Sequence, residues 1–371
     1  MAFIFKCFHW ITNHPFEFIF YLILLLYGFA FIFSGRPAGP TTFIPKSLNK
    51  VYHSPVTWKG IPIDRKKRFL NFDHPFYQNY VDILNWLPGH IVNLIRNYDF
   101  ILPVTEIKSS DFLTGKDVLI WLGHASFFLR INGTNILIDP IFYKPWPYKR
   151  HSDNPIHPNL FRDISYVLIS HNHADHCDKK SLELLYSNNP DLTFLSGLGM
   201  ESVLNKFSLN RNNIITAEWY EEYPLQIKDV AFIFVPSRHY CKRLFKPFNK
   251  SLWGGFIIKY KDGSEKNKTI YFEGDSGYGS HFKDIGILFK PDIAILGIGA
   301  HKPAWLMKPN HISPDYAITA FEDTGASLMV PMHYGTFNLS NEKMKEPIQV
   351  LKNNLHFGKL EILKPGDQLP V

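Results

Sequence analysis

Ser170-His171-Asn172-His173-Ala174-Asp175-His176 sets four groups able to hold a metal ion, His171, His173, Asp175 and His176, within six residues. They come directly after Tyr166-Val167-Leu168-Ile169, an apolar, largely β-branched run that reads as a buried strand. On extended backbone, side chains two apart point the same way, so His171 and His173 can grip one ion. Asp175 and His176 follow where the chain must turn and can face a second ion beside the first. A single histidine is ordinarily a core or surface residue; four ligating groups at a strand end point to metal.

A two-metal hydrolase needs further ligands, and these should also follow strands. His239 comes after Val230-Ala231-Phe232-Ile233-Phe234-Val235. Asp275 closes Glu273-Gly274-Asp275, after Thr269-Ile270-Tyr271-Phe272. His333 follows Leu328-Met329-Val330-Pro331-Met332. Each alone is an ordinary loop residue; the combination at strand ends is what carries weight. Between these points strands and helices alternate, with a helix over Lys180–Tyr186 and another starting at Ser313-Pro314-Asp315 and running to Thr324, where Ser caps and Pro takes the first turn. Upstream, Val118–Leu122, Phe127–Leu129 and Asn135–Ile138 read as consecutive strands, with Asn132-Gly133 as a hairpin turn. Ligands at strand ends in such a pattern predict a layered α/β architecture.

The same segments resemble the metallo-β-lactamase-fold hydrolases and, among them, the N-acyl-phosphatidylethanolamine-hydrolysing phospholipases D. The likeness runs from about Asp117 to about Asn341. Besides the histidine motif it rests on Trp121-Leu122-Gly123-His124-Ala125-Ser126, Asp139-Pro140-Ile141-Phe142, Pro236–Arg243 and Gly274–Tyr278. Its most specific stretch is Gly299–Pro314 (GAHKPAWLMKPNHISP), followed by Met332-His333-Tyr334-Gly335-Thr336-Phe337. The resemblance implies a four-layer αββα sandwich with two Zn²⁺ ions at one edge of the paired sheets. By it, His171, His173 and His239 hold one zinc, Asp175, His176 and His333 the other, and Asp275 bridges both. It further implies hydrolysis of N-acyl-phosphatidylethanolamine to N-acylethanolamine and phosphatidic acid, with Asp275 orienting the attacking water and His311 as candidate general acid. His124 is expected near the pocket rather than on a metal, and Asp139 in a supporting role beneath it. Two divalent ions, two carboxylates and a bridging hydroxide leave one net positive charge, suited to a phosphodiester anion. Arg238 stands where the family has a neutral polar residue. Tyr143–Phe161 does not match closely and is expected to line the substrate entrance.

The remaining chain bears on partners and location. Residues Phe16–Phe33 (FEFIFYLILLLYGFAFIF) are apolar apart from Glu17, and eighteen helical residues rise about 27 Å, close to a bilayer's hydrocarbon thickness. This predicts an N-terminal membrane helix over residues 1–35, with a cleaved signal peptide as the rival. Residues 36–108 read as a tether and packing helices broken at Pro88-Gly89, and residues 109–371 as the catalytic domain. The basic residues after the helix, among them Arg65, Lys66, Lys67 and Arg68, slightly favour a membrane-associated protein with its main domain on the cytoplasmic side. The formal charge of +7 is mild. No extended basic and aromatic surface flanks the motif, which argues against nucleic acid as partner and for phospholipid and membrane. A homodimer is compatible with everything read so far. Three cysteines imply no disulfide framework. The competing readings are a nuclease, lactonase or thioester hydrolase on the same metals, and a membrane-tethered lipid-binding protein with a vestigial site.

Overall fold

Val118–Gly123 shows how the chain is layered: all six residues are buried, and their neighbours alternate. Leu119 and Trp121 enter one apolar cluster, while Val118, Ile120 and Leu122 enter another. A strand buried on both faces must be covered on both, so each sheet has a second sheet on one side and helices on the other. The computed structural model describes residues 15–34, 40, 42–44, 55, 58–73, 79–95, 101–145, 147–243 and 248–371.

In chain order the elements are α1 (Pro15–Phe33), β1 (Thr42–Ile44), β2 (Ile61–Ile63), α2 (Tyr80–Ile95), β3 (Val118–Gly123), β4 (Ser126–Ile131), β5 (Thr134–Ile138), β6 (Tyr166–Ile169), α3 (Lys179–Asn188), β7 (Thr193–Gly197), α4 (Glu201–Leu204), β8 (Ile214–Ala217), β9 (Glu221–Glu222), β10 (Val230–Val235), β11 (Gly255–Lys261), β12 (Asn267–Phe272), α5 (His281–Phe289), β13 (Ile293–Gly297), α6 (Ala304–Met307), α7 (Pro314–Thr324), β14 (Leu328–Met332), α8 (Glu346–Asn354), β15 (Lys359–Leu360) and β16 (Gln368–Pro370). Two mixed seven-stranded sheets form, ordered β16-β3-β4-β5-β6-β7-β8 and β15-β14-β13-β12-β11-β10-β9. Leu119, Phe127, Leu168 and Leu195 of the first meet Phe232, Phe256, Ile270 and Ile295 of the second in one continuous core. Leu182 and Leu185 of α3 cover the outer face of the first sheet; Phe282 of α5 and Phe321 of α7 cover that of the second. The expected four-layer αββα sandwich is therefore present.

Most local expectations hold. Asn132 (φ 49) and Gly133 (φ 75) make the β4–β5 hairpin turn, both in the left-handed region that turn demands. Ser313 caps α7 by accepting from the Tyr316 amide, with Pro314 in the first turn.

Two expectations fail. Pro88-Gly89 does not break its segment: α2 runs from Tyr80 to Ile95 with Pro88 inside it. An interior proline costs about 3 kcal/mol, and tertiary contacts offset it. Asn93 Nδ2 donates to the Ser340 carbonyl (3.2 Å) and Asn338 Nδ2 to the Asn93 carbonyl (3.2 Å), binding α2 to the 338–341 segment. The second failure is the membrane helix, and with it the membrane-associated location and the cytoplasmic side read from it. The apolar run does form α1, but among the described residues no helix is long and apolar enough to cross a membrane. The C-terminal end of α1 is also tied to the rest of the chain. Tyr27 donates to Asn85 Oδ1 of α2 (2.7 Å), and Ser34 Oγ accepts from the Tyr80 amide (3.0 Å). Most of the tether, including Arg36, Lys46 and Lys50, lies outside the described residues.

Candidate metal centre

All seven expected ligands converge. Each side chain leaves the C-terminal end of a strand: the histidine motif follows β6, and His239, Asp275 and His333 follow β10, β12 and β14. Asp275 gets there through Gly274, whose φ of +71 lies in the left-handed region and whose missing Cβ would sit 2.7 Å from the Gly254 carbonyl oxygen.

The donors form two groups that share Asp275. In the first, His173 Nδ1 lies 2.9 Å from His171 Nε2 and 3.1 Å from His239 Nε2; Asp275 Oδ2 is 3.8 and 3.7 Å from those two Nε2 atoms. In the second, His176 Nε2 lies 3.3 Å from His333 Nε2 and 3.5 Å from Asp175 Oδ2. Asp275 reaches this group as well, with Oδ2 3.2 Å from His176 Nε2 and Oδ1 3.1 Å from His333 Nε2. Donors on a four-coordinate zinc with bonds of about 2.0–2.1 Å stand about 3.3 Å apart. The residues therefore fit a metal ion in each group.

A buried network fixes which nitrogen each imidazole presents. Asp139 Oδ2 accepts from His176 Nδ1 (2.8 Å) and from Ser170 Oγ (2.5 Å), and its Oδ1 accepts from the Ser170 amide (2.7 Å). The single Ser170 hydroxyl proton is spent on Asp139, so His171 Nδ1, 2.9 Å away, must carry its own proton. The His239 Nδ1 proton goes to the Asn310 carbonyl (2.9 Å). In all three cases Nε2 keeps its lone pair and faces the cluster, which is the arrangement a metal requires.

Electrostatics point the same way. Burial would push the carboxyl of Asp275 up, but the imidazoles of His176, His333 and His311 outweigh it and hold the pKa well below the ordinary range. Asp175 behaves alike: burial raises it, while His176, His124 and His333 prevail. Reciprocally, burial disfavours charge on His333, yet Asp275 and Asp175 lift its pKa to about 9. The buried Asp275 and half-buried Asp175 thus draw cationic charge onto their neighbours, as a metal-ligand set does when protons take the metals' place.

Over the donors opens a cavity of about 360 Å³. Its floor includes His173, Asp175 and Asp275; its walls include Ile83 and Trp86 of α2 and Leu306 and Met307 of α6. His311 lines it with Nδ1 3.9 Å from Asp275 Oδ2 and its ring 5.4 Å from that of His333. Tyr148 also lines it, so the poorly matching Tyr143–Phe161 region does reach the entrance. Arg238 is tied to the fold: its Nη1 donates to the Tyr278 carbonyl (2.8 Å) and its amide to Ser276 Oγ (2.9 Å).

His124, expected near the pocket rather than on a metal, places Nε2 3.0 Å from Asp175 Oδ2. One contributor to the site went unread in the sequence. Helix α2 as a pocket wall had no local signal, because it reaches the site by long-range packing.

The fold and donor set define a metal-dependent hydrolase of the β-lactamase superfamily. The chain belongs to that family: residues 134–334, more than half of it, match the β-lactamase superfamily domain. It is 27% identical over 331 residues to N-acyl-phosphatidylethanolamine-hydrolyzing phospholipase D 1 of Caenorhabditis elegans, across 84% of this chain and 91% of that one. It is 30% identical over 253 residues to the mitochondrial N-acyl-phosphatidylethanolamine-hydrolyzing phospholipase D of Saccharomyces cerevisiae, across 64% of this chain and 52% of that one, so it spans about half the yeast protein's length. Among solved structures, the isothiocyanate hydrolase from Delia radicum gut bacteria shares the fold, with a TM-score of 0.53 and 16% identity over 68% of this chain and 99% of that one.

Proposed function

We propose that the chain is a binuclear zinc phosphodiesterase of the phospholipase D type, acting on N-acyl-phosphatidylethanolamine to give N-acylethanolamine and phosphatidic acid. The observation that carries this is the pair of donor groups sharing Asp275 beneath a pocket with an apolar wall. Two divalent ions against the two carboxylates Asp175 and Asp275 leave the floor positive, which attracts a phosphodiester anion. Ile83, Trp86, Leu306 and Met307 offer an apolar surface to lipid chains beside that charge. Similarity to the worm and yeast phospholipases supports the same substrate.

When bound, the ions supply Lewis acidity and lower the pKa of water near neutral pH. The chain's own residues do the positioning. Asp275, reaching both groups, orients the attacking water toward the phosphorus. His171, His176 and His239 stay in one tautomer through Asp139, Ser170 and the Asn310 carbonyl. His311 faces the cavity beside Asp275. Burial lowers its pKa to about 4, so in the free site it is a neutral imidazole. We assign its N–H the role of hydrogen-bond donor to the leaving alkoxide oxygen, a group basic enough to need one.

The test is a mass-spectrometric assay of purified, zinc-loaded protein on N-acyl-phosphatidylethanolamine, phosphatidylethanolamine, phosphatidylcholine and bis(p-nitrophenyl) phosphate. Release of N-acylethanolamine with phosphatidic acid is expected. Turnover of the aryl phosphodiester alone would reject the lipid assignment.

A further inference from the structure

We propose that His124 is a direct ligand of the second ion, and that the two metal positions are consequently unequal in coordination. This rests on the binuclear reading above and extends it. The donor atoms of His124, Asp175, His176 and His333 all lie within 4.8 Å of one another. His124 Nε2 is 3.0 Å from Asp175 Oδ2, the oxygen that also faces His176 and His333. That separation matches adjacent donors around one six-coordinate ion with bonds of roughly 2.1 Å. The imidazole packs beside those of the same group, with ring centroids 4.1 Å from His333 and 5.3 Å from His176.

The backbone around His124 is held unusually firmly. Its φ is +55, in the left-handed region that disfavours a side chain, and His333 has a φ of +64. Non-glycine residues stay there where the surroundings over-determine them, commonly at functional sites. The His124 amide donates to Thr336 Oγ1 (2.8 Å). Its carbonyl accepts from Trp121 Nε1 (2.8 Å) and from the His333 amide (3.0 Å). Two strained histidines joined by a backbone hydrogen bond thus enter one donor group from opposite sheets.

The rival role for His124 is a hydrogen bond from Nε2–H to Asp175. The oxygen that this proton would meet, Asp175 Oδ2, also faces His176 Nε2 (3.5 Å) and His333 Nε2 (3.8 Å), so a cation held by that group would oppose the proton. A lone pair there is a ligand. Counting Asp275 in both groups, the first position has four protein donors, namely His171, His173, His239 and Asp275. The second has five: His124, Asp175, His176, His333 and Asp275. Four nitrogen and oxygen donors suit tetrahedral zinc, whereas five with one open position suit an ion that accepts six. The second position should therefore discriminate less against manganese or iron(II) than the first.

The experiment uses full-length protein stripped of metal and reloaded with zinc(II) or cobalt(II) alone. X-ray absorption on the wild-type zinc protein should count six imidazoles per two ions, and five would overturn the proposal without any variant. His124→Asn tolerates a positive φ and can still donate to Asp175, so it restores the rival role but not the ligand. In it, the second cobalt should bind at least tenfold more weakly, the first within threefold of wild type. The visible cobalt absorption should intensify as coordination number falls. An unchanged second affinity and spectrum would overturn the assignment. Fewer than two ions in the wild type would instead reject the binuclear reading, and this proposal with it.

Discussion

Asp139 is the residue on which both donor groups lean, and Asp139→Asn tests that directly. The carboxylate accepts three hydrogen bonds, from His176 Nδ1, Ser170 Oγ and the Ser170 amide. An asparagine offers one acceptor oxygen and one NH₂ in the same place. If the oxygen stays on the Ser170 amide, the NH₂ meets His176 Nδ1. The imidazole must then move its proton to Nε2, which can no longer ligate. If the amide flips, two donors face each other in a fully buried site, at a cost of about 1–3 kcal/mol. Either way the second position suffers most. The first is disturbed only through Ser170 and His171. Loss of an outer partner of this kind typically weakens metal binding 10–100-fold, about 1.4–2.7 kcal/mol. We expect the second ion to fall in that range and the first by less than tenfold. Competition between metal-free protein and a chromophoric chelator measures both, and urea unfolding of the metal-free protein confirms a folded variant. Binding of both ions within threefold of wild type would refute the reasoning that Asp139 sets the tautomers.

Three further outcomes follow from the structure. His311→Ala should lower kcat about 10²-fold on a substrate with a basic alkoxide leaving group and far less on bis(p-nitrophenyl) phosphate; equal losses would remove His311 from the leaving oxygen. Trp86→Ala should raise KM for a long-chain lipid substrate roughly tenfold while leaving the aryl phosphodiester nearly unchanged, and a uniform effect would mean that α2 does not contact acyl chain. Burial, helped by Arg238, lowers the pKa of His281 to about 3, against about 6.5 when unfolded. The unfolded chain therefore binds the extra proton between those values, and stability declines as pH falls from about 6.5 toward 3, at up to ~1.4 kcal/mol per unit. His281→Gln should flatten that limb by one proton in denaturant titrations between pH 4 and 6. An unchanged slope would show that His281 is protonated in the folded state.

The sequence made the candidate ligands legible because each is local to a strand end, and a strand of apolar residues announces itself. Val230–Val235 before His239 is an instance: burial pattern and ligand position are both set within ten residues. The sandwich followed, since Val118–Leu122 and its companions are apolar on both faces. What was not legible depended on distant contacts. Pro88 looked like a break because the Asn93–Ser340 and Asn338–Asn93 hydrogen bonds join positions about 245 residues apart. Helix α1 looked like a membrane span by hydropathy alone. Its ties to α2 through Tyr27 and Ser34 exist only in three dimensions. The pairing of His124 with Asp175 was not legible either, because it joins the ends of β3 and β6, two strands of one sheet that are separated by β4 and β5.

The two sheets also divide the chain in order. The first takes residues 118–217 with a final strand at Gln368–Pro370, and the second takes residues 221–360. Each ion, on the shared assignment, is gripped by two side chains following a first-sheet strand and by two from the second. His171 and His173 answer His239 and Asp275; Asp175 and His176 answer Asp275 and His333. A half-made chain, or one whose sheets have docked out of register, can complete neither donor set, since each draws on side chains following strands of both sheets. On the binuclear reading, a complete donor set at either position therefore reports that the two sheets have closed in register.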